Sequence, residues 1–149
     1  MGGSMYVHAF AAFFGLAATY FFDPKKAIED KEKQCGGNYN SNLIAMVGTV
    51  FLWILWPSFN GALAGPTQQH RVIVNTLLAM TGACITACAM ARILCNKLDM
   101  EVVLNATLAG GVMLGTSADL VVNPGIATLI GAIAGVISSV GFMKLSGIL

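Results

Sequence analysis

Polar positions are sparse along this chain, and they are clumped. Asp, Glu, Lys and Arg are absent from 1–22, 34–70, 72–91, 102–118 and 120–143. Each stretch can hold an apolar helix of membrane-crossing length, about 17–25 residues. The stretches lack the alternation of a membrane strand. A backbone in lipid must also satisfy its hydrogen bonds within the segment, so helix is the state the pattern predicts. The fold class is therefore read as all-α: a polytopic membrane helix bundle of about five transmembrane helices, near 3–22, 43–63, 72–92, 101–121 and 126–145. A soluble bundle would need a polar outer face on every helix, and none is visible. The first segment has neither the basic n-region nor the cleavage site of a signal peptide.

Composition agrees. Of 149 residues, 56% are hydrophobic and 10% are charged, against about 25% charged in a soluble domain. Mean hydropathy is +0.75. This excludes a disordered chain and an ordinary soluble enzyme. A net charge of +1 offers no basic field to phosphates, so nucleic acid is not a partner.

The positions of the charges give an orientation. Eight lie between Asp23 and Lys33; the others are Arg71, Arg92, Lys97, Asp99, Glu101, Asp119 and Lys144. The loops near 23–42 and 92–100 and the C-terminal end, which carries Lys144, alternate onto one side and hold seven of the eight basic residues. The positive-inside rule makes that side cytoplasmic. Residues 64–71 and the Asn123-Pro124-Gly125 turn then face outside, as does Met1. An N-terminus outside without a preceding signal or span, together with an odd span count, predicts that the chain is a central fragment of a longer protein.

The packing signals are small residues. Gly61/Gly65, Gly111/Gly115 and Gly131/Gly135 have G-x-x-x-G spacing, which lets helix backbones approach in lipid. Cys84 and Cys88 lie one turn apart in the third span, with Cys95 near its end and Cys35 in the first loop. No His or Cys stands at metal-ligand spacing beside them, so they are read as small packing residues, with no metal and no cofactor. Asn105-Ala106-Thr107 matches a glycosylation acceptor but lies within the fourth span, where it is not expected to be used.

His8 is the outstanding polar residue. Ionisable side chains within a span are functional candidates by default; the alternative is a buried neutral His bonding a neighbouring carbonyl, and the residues leave both open. At helical spacing it shares a face with Ser4, Ala11, Ala12, Gly15 and Thr19, so it is expected to project from a groove of small residues. Phe59 and Asn60 follow Pro57, a residue that can break a helix to serve a cavity, although Phe59 alone reads more readily as packing, and Trp53 and Trp56 as interfacial anchors. Asn105 is expected to be buried in its span and to seek a helix-to-helix partner. Asp119 and His70 are assigned no chemistry. There is no Ser/His/Asp set, no pair of intramembrane carboxylates and no nucleotide loop, so no catalytic residue is assigned and the chain is not read as an enzyme.

Taken together, GGSMYVHAFAAFFGL at 2–16, GTVFLWILWPSFN at 48–60, HRVIVNT at 70–76, LDMEVVLNATLAGGVMLGTSAD at 98–119 and LIGAIAGVISSVGF at 129–142 resemble the Rh glycoprotein branch of the ammonium transporter (Amt/Mep/Rh) family. The strings run in family order through nearly the whole chain. The resemblance implies part of an eleven- or twelve-helix fold, of which this chain covers about five spans, in a plasma-membrane homotrimer with one pore per subunit. It implies an ammonia/ammonium channel, with carbon dioxide a further candidate and the lipid bilayer as surroundings. His8 matches the first of two pore histidines, the second belonging to the next span, and Phe59 matches one of two stacked phenylalanines at the outer gate. Asn60 and Asn105 are carried as pore-adjacent polar residues. Deprotonation of ammonium at the outer vestibule, followed by ammonia passage, is the mechanism implied. The alternatives are a non-transporting structural Rh-like membrane subunit and an inactive truncated product.

Overall fold

The computed structural model describes residues 1–22 and 37–145, without the side chains of Phe22 and Leu145. Most of the predicted 23–42 loop, with Lys25, Lys26, Lys31, Lys33 and Cys35, lies outside the described residues. Most of those described are helical, with no strand among them. A π-helical segment, Ser4–Ala9, runs directly into α1 (Phe10–Phe22). Then follow α2 (Tyr39–Gly61), α3 (Gln69–Cys95), α4 (Met100–Gly115) and α5 (Pro124–Leu145). By length and composition the first helical run, α2, α3 and α5 can each cross a membrane; α4, with 16 residues, is a shorter apolar helix.

The helix ends follow from local chemistry. Asn38 accepts from the Ser41 N–H at 2.9 Å while the Ser41 hydroxyl accepts from the Asn38 N–H at 2.9 Å, a capping box that starts α2. Pro57 lies within α2, yet the helix continues to Gly61. Asn96, left-handed at φ 57°, ends α3, and the Arg92 guanidinium donates to its carbonyl. Asp99 caps α4 by accepting from the Glu101 N–H at 3.1 Å and pairs with Lys97 at 3.7 Å. Pro124 opens α5, where a missing N–H is harmless.

α3 is the hub, packing against α5, α4 and α2. Its buried stripe is Ala79, Ala83, Ala87 and Ala91, all fully buried one turn apart. The glycines opposite are in backbone contact with it. A Cβ added at Gly110 or at Gly131 would run into the Ala79 backbone, and one at Gly82 into Thr128. Large apolar side chains point outward instead: Ile85 is 63% exposed and Ile93 73%. This inverted arrangement is what lipid demands, since apolar side chains gain little by moving from hydrocarbon to a neighbouring helix. Of the three G-x-x-x-G pairs, Gly111/Gly115 and Gly131/Gly135 line helix contacts, whereas Gly65 lies beyond the end of α2 and a Cβ there would touch only Gln68.

Polar side chains join the helices where backbone is left over. Thr86 Oγ1 donates to the Ala132 carbonyl across the α3–α5 contact at 3.0 Å. The helical stretch expected to reach residue 121 ends at Gly115 and gives way to tight turns. Asn75 of α3, 2% exposed, donates from Nδ2 to the Ala118 carbonyl at 2.9 Å and the Val121 carbonyl at 2.7 Å. Those two bonds supply what the interrupted helix lacks, so the turn is tolerated inside the bundle.

A Gly131→Val substitution is expected to destabilise the protein by about 1–3 kcal/mol through overpacking, read as a lower thermal midpoint in detergent. Gly48→Ala, where nothing lies within 4 Å of the added Cβ, should leave the midpoint unchanged or raise it.

Candidate functional site

His8 stands on the π-helical segment, where its N–H reaches the Gly3 carbonyl at 3.2 Å, five residues back, rather than four. Single π turns inside helices are frequent at functional sites. The segment starts from two glycines with positive φ, Gly2 at 38° and Gly3 at 62°, a region that side chains strain to enter. Gly2 also packs its Cα against Gly115 and Asn60 Oδ1, where a Cβ would collide with both.

Trp56, Phe59 and Asn60 sit at i, i+3 and i+4 on α2, on one helical face. The His8 ring stacks on Trp56 with centroids 5.6 Å apart and planes at 20°. It meets Phe59 edge-on at 6.0 Å and 62°. Trp56 and Phe59 touch each other at 5.9 Å, closing a three-ring cluster. Phe59 is 48% exposed.

Asn60 is fully buried. Its Nδ2 donates to Thr76 Oγ1 and to the Gly111 carbonyl, both at 3.1 Å, joining α2 to α3 and α4. Thr76 Oγ1 in turn donates to the Val72 carbonyl at 2.7 Å. The amide is thereby held with Oδ1 turned toward Gly2 and Gly115. Glycine at 111 leaves room for the Trp56 indole N–H, which any Cβ there would strike.

Three buried side-chain atoms have no hydrogen-bond partner among the described residues, and all three belong to this cluster: His8 Nε2, Trp56 Nε1 and Asn60 Oδ1. Leaving such groups unpaired costs about 1–3 kcal/mol each, so concentrating them in one place points to use. The indole N–H can only donate, the amide oxygen can only accept, and the imidazole nitrogen can do either by tautomer. The surroundings are aromatic, and no group of three His, Cys, Asp or Glu side chains able to hold a metal occurs among the described residues.

The structure thus brings together His8, Phe59 and Asn60 of the expected residues. It does not bring Asn105 to them. Asn105 is exposed and lies with Leu108, Val112, Ala134 and Ser138 in a separate groove of about 400 Å³ between α4 and α5. His70 is exposed, and the Asp119 carbonyl accepts from Arg71 at 3.2 Å. The small residues Ala11, Ala12, Gly15 and Thr19 are exposed too, with nothing within 4 Å of a Cβ at Gly15; His8 rests on aromatic rings rather than in their groove. Trp56 was legible only as an anchor, although its i, i+3, i+4 spacing to Phe59 and Asn60 carried the signal. Thr76 and Thr116 carried none, and Ser4 was legible only as a small residue on the His8 face.

The family model described as Ammonium Transporter Family matches residues 1–149. The chain is 44% identical over 149 residues to ammonium transporter Rh type C of Rattus norvegicus, covering 97% of this chain and 30% of that protein. It is 44% identical over 152 residues to ammonium transporter Rh type A of Canis lupus familiaris, covering 98% and 36%. Among solved structures it matches Nitrosomonas europaea Rh50, described with the mechanism of conduction by the Rhesus protein family of channels, at TM-score 0.92 and 34% identity over 99% of this chain and 38% of that one. The chain therefore spans about a third of the length of the relatives it matches.

Asn60→Ala removes two buried hydrogen bonds and leaves a void. It is expected to lower stability by about 2–4 kcal/mol, measured as the thermal midpoint in detergent, with Asn60→Gln unable to restore it because the longer side chain meets Gly2 and Gly115.

Proposed function

The chain belongs to the Ammonium Transporter Family, and from that premise we propose that it forms part of the pore of an Rh-type channel that passes ammonia after ammonium gives up its proton at the outer vestibule. It is a multi-pass membrane chain with the all-helical fold of the Rh50 channel. The observation that carries the proposal is the unpartnered His8 Nε2, buried between Trp56 and Phe59.

The physics favours a neutral cargo. A bare ammonium ion in a low-dielectric pore loses its hydration and is strongly disfavoured, whereas ammonia is not. The charges on the described helices lie at their ends, as with Arg71, Arg92, Glu101 and Lys144, so nothing midway would offset an ion. The proton is therefore left outside. Ammonia passes Phe59, one wall of the outer gate, and reaches His8. The imidazole accepts from ammonia or donates to it according to tautomer, replacing part of the water lost at the entrance. Asn60 holds the wall behind Phe59 in register through Thr76 and Gly111. Carbon dioxide, also neutral, is the further candidate for the same route. Asn105 faces the α4–α5 groove and is given a lesser place beside that route.

The full-length protein is read as a plasma-membrane homotrimer, each subunit with its own pore and a second histidine completing the site beside His8. The loops near 23–42 and 92–100 face the cytoplasm, because they carry most of the basic residues.

Two measurements test this. In liposomes bearing the full-length protein, an ammonia gradient should drive a fast internal pH change. His8→Ala and Phe59→Ala should each alter its rate by about tenfold, the effect of roughly 1.4 kcal/mol in a barrier. Rates equal to wild type in both variants overturn the site. For orientation, a Thr67→Cys variant is expected to react with an impermeant maleimide in intact cells, and Cys35 only after permeabilisation; the reverse pattern inverts the topology.

A further inference from the structure

The helix that carries His8 is attached at one end only. Among the described residues α1 packs against no other element beyond its own π-helical start, and that start packs against α4. Phe10, Phe13 and Phe14 are 65–73% exposed. Whatever fixes His8 relative to Trp56 and Phe59 within this part of the molecule must therefore act before it in the chain.

Ser4 does so. Its N–H donates to Thr116 Oγ1 at 3.0 Å, and its own hydroxyl accepts from the Thr116 N–H at 3.0 Å. The same hydroxyl donates to the Val112 carbonyl at 2.5 Å. Two residues 112 apart in sequence thus exchange side chain for backbone in both directions. The Ser4 N–H opens a helical turn and has no partner within it. At the other end the Ser4 hydroxyl stands between the Thr116 N–H and the Val112 carbonyl, four residues apart, bonding both at the last turn of α4. Gly2, lying on Gly115 with no side chain between them, lets the two backbones come close enough for the exchange. The π turn then begins at Ser4, and Val7 and His8 both donate to the Gly3 carbonyl, so the seat of Ser4 sets where the imidazole stands.

We propose that Ser4, through Thr116, is a positioning residue for His8: the reciprocal pair locks the π turn onto the end of α4 and so sets the distance of the imidazole from the Phe59 and Trp56 rings. This rests on the reading of His8 as a pore group. Ser4 bonds to Thr116 and Val112 and acts on the imidazole through the turn. Threonine can make the same three bonds and should replace it; alanine cannot.

The test is a double-mutant cycle in the full-length protein in liposomes, with ammonia flux normalised to the amount of monodisperse protein. Ser4→Ala is expected to lower flux roughly 5- to 10-fold when His8 is present, since small misplacement of an oriented group is costly. Ser4→Thr should conduct within about twofold of wild type, and Ser4→Ala should add nothing further in a His8→Ala background. A role confined to stability would lower flux by the same factor in both backgrounds, and that result overturns the proposal. Wild-type flux in Ser4→Ala, with His8→Ala impaired, overturns it as well. If His8→Ala itself conducts like wild type, the reading of the pore fails, and the positioning role fails with it. Should Ser4→Ala not reach the membrane, Thr116→Val, which removes one acceptor and no backbone group, reads the same cycle with the same outcomes.

Discussion

In hydrocarbon, apolar side chains gain little by leaving the lipid for a neighbouring helix, so helices hold together where their backbones can touch. Ala79 is where this happens twice. Gly110 of α4 and Gly131 of α5 both lie against its backbone, at distances that leave no space for a Cβ. From that point α3 sets the spacing of the other two helices, and the stripe from Ala79 to Ala91 continues the contact along its length. The dispersion gained is small for each atom pair and accumulates along the stripe. Without this approach α4 would stand further from α3, and the surfaces that Asn60 and Ser4 reach would move with it.

The polar residues follow from the same constraint. A bundle that touches through glycine and alanine leaves few side chains to bury, and those that are buried and polar must be satisfied inside. Asn75 closes the turn after α4, and Asn60 joins α2 to α3 and α4. Both act through an amide that donates two hydrogen bonds to groups on other segments. Among the described residues the Asn60 amide oxygen is left without a partner, as are the nearby nitrogens of His8 and Trp56. The unpartnered atoms thus gather around the His8, Trp56 and Phe59 rings, where the proposed pore lies. The Rh-type relatives and the Rh50 fold give that gathering a chemical context.

Different residues were legible to different degrees. His8 was visible in the sequence because one ionisable group in a long apolar stretch demands a reason. Phe59 and Asn60 were visible through the break expected at Pro57, although the helix runs through it. Asn105 looked like their equal, since a polar residue in a span reads the same on every face. Only the packing of α4 shows that it faces a groove with Ala134 and Ser138, away from the ring cluster. The end of α4 misled for a related reason. Hydropathy continues past Gly115, and nothing in it records that Asn75, more than forty residues earlier, holds the turn that follows.

What the sequence determined by itself is what depends on neighbours along the chain. Hydropathy placed the apolar helices, because solvent preference is summed residue by residue. The caps at Asn38 and Asp99 are equally local, because their bonds span two or three residues, although hydropathy alone began the second helix near 43 rather than at Tyr39. The motif strings also carried the family, matched over residues 1–149. The tertiary structure decided what depends on residues distant in sequence: which glycines are in contact, which amides are satisfied, and that Ser4 is tied to Thr116. The stacking of His8 on Trp56 belongs with these. Such pairings are set by the separation and rotation of whole helices, and the local pattern carries neither, because every face of a helix in lipid is apolar.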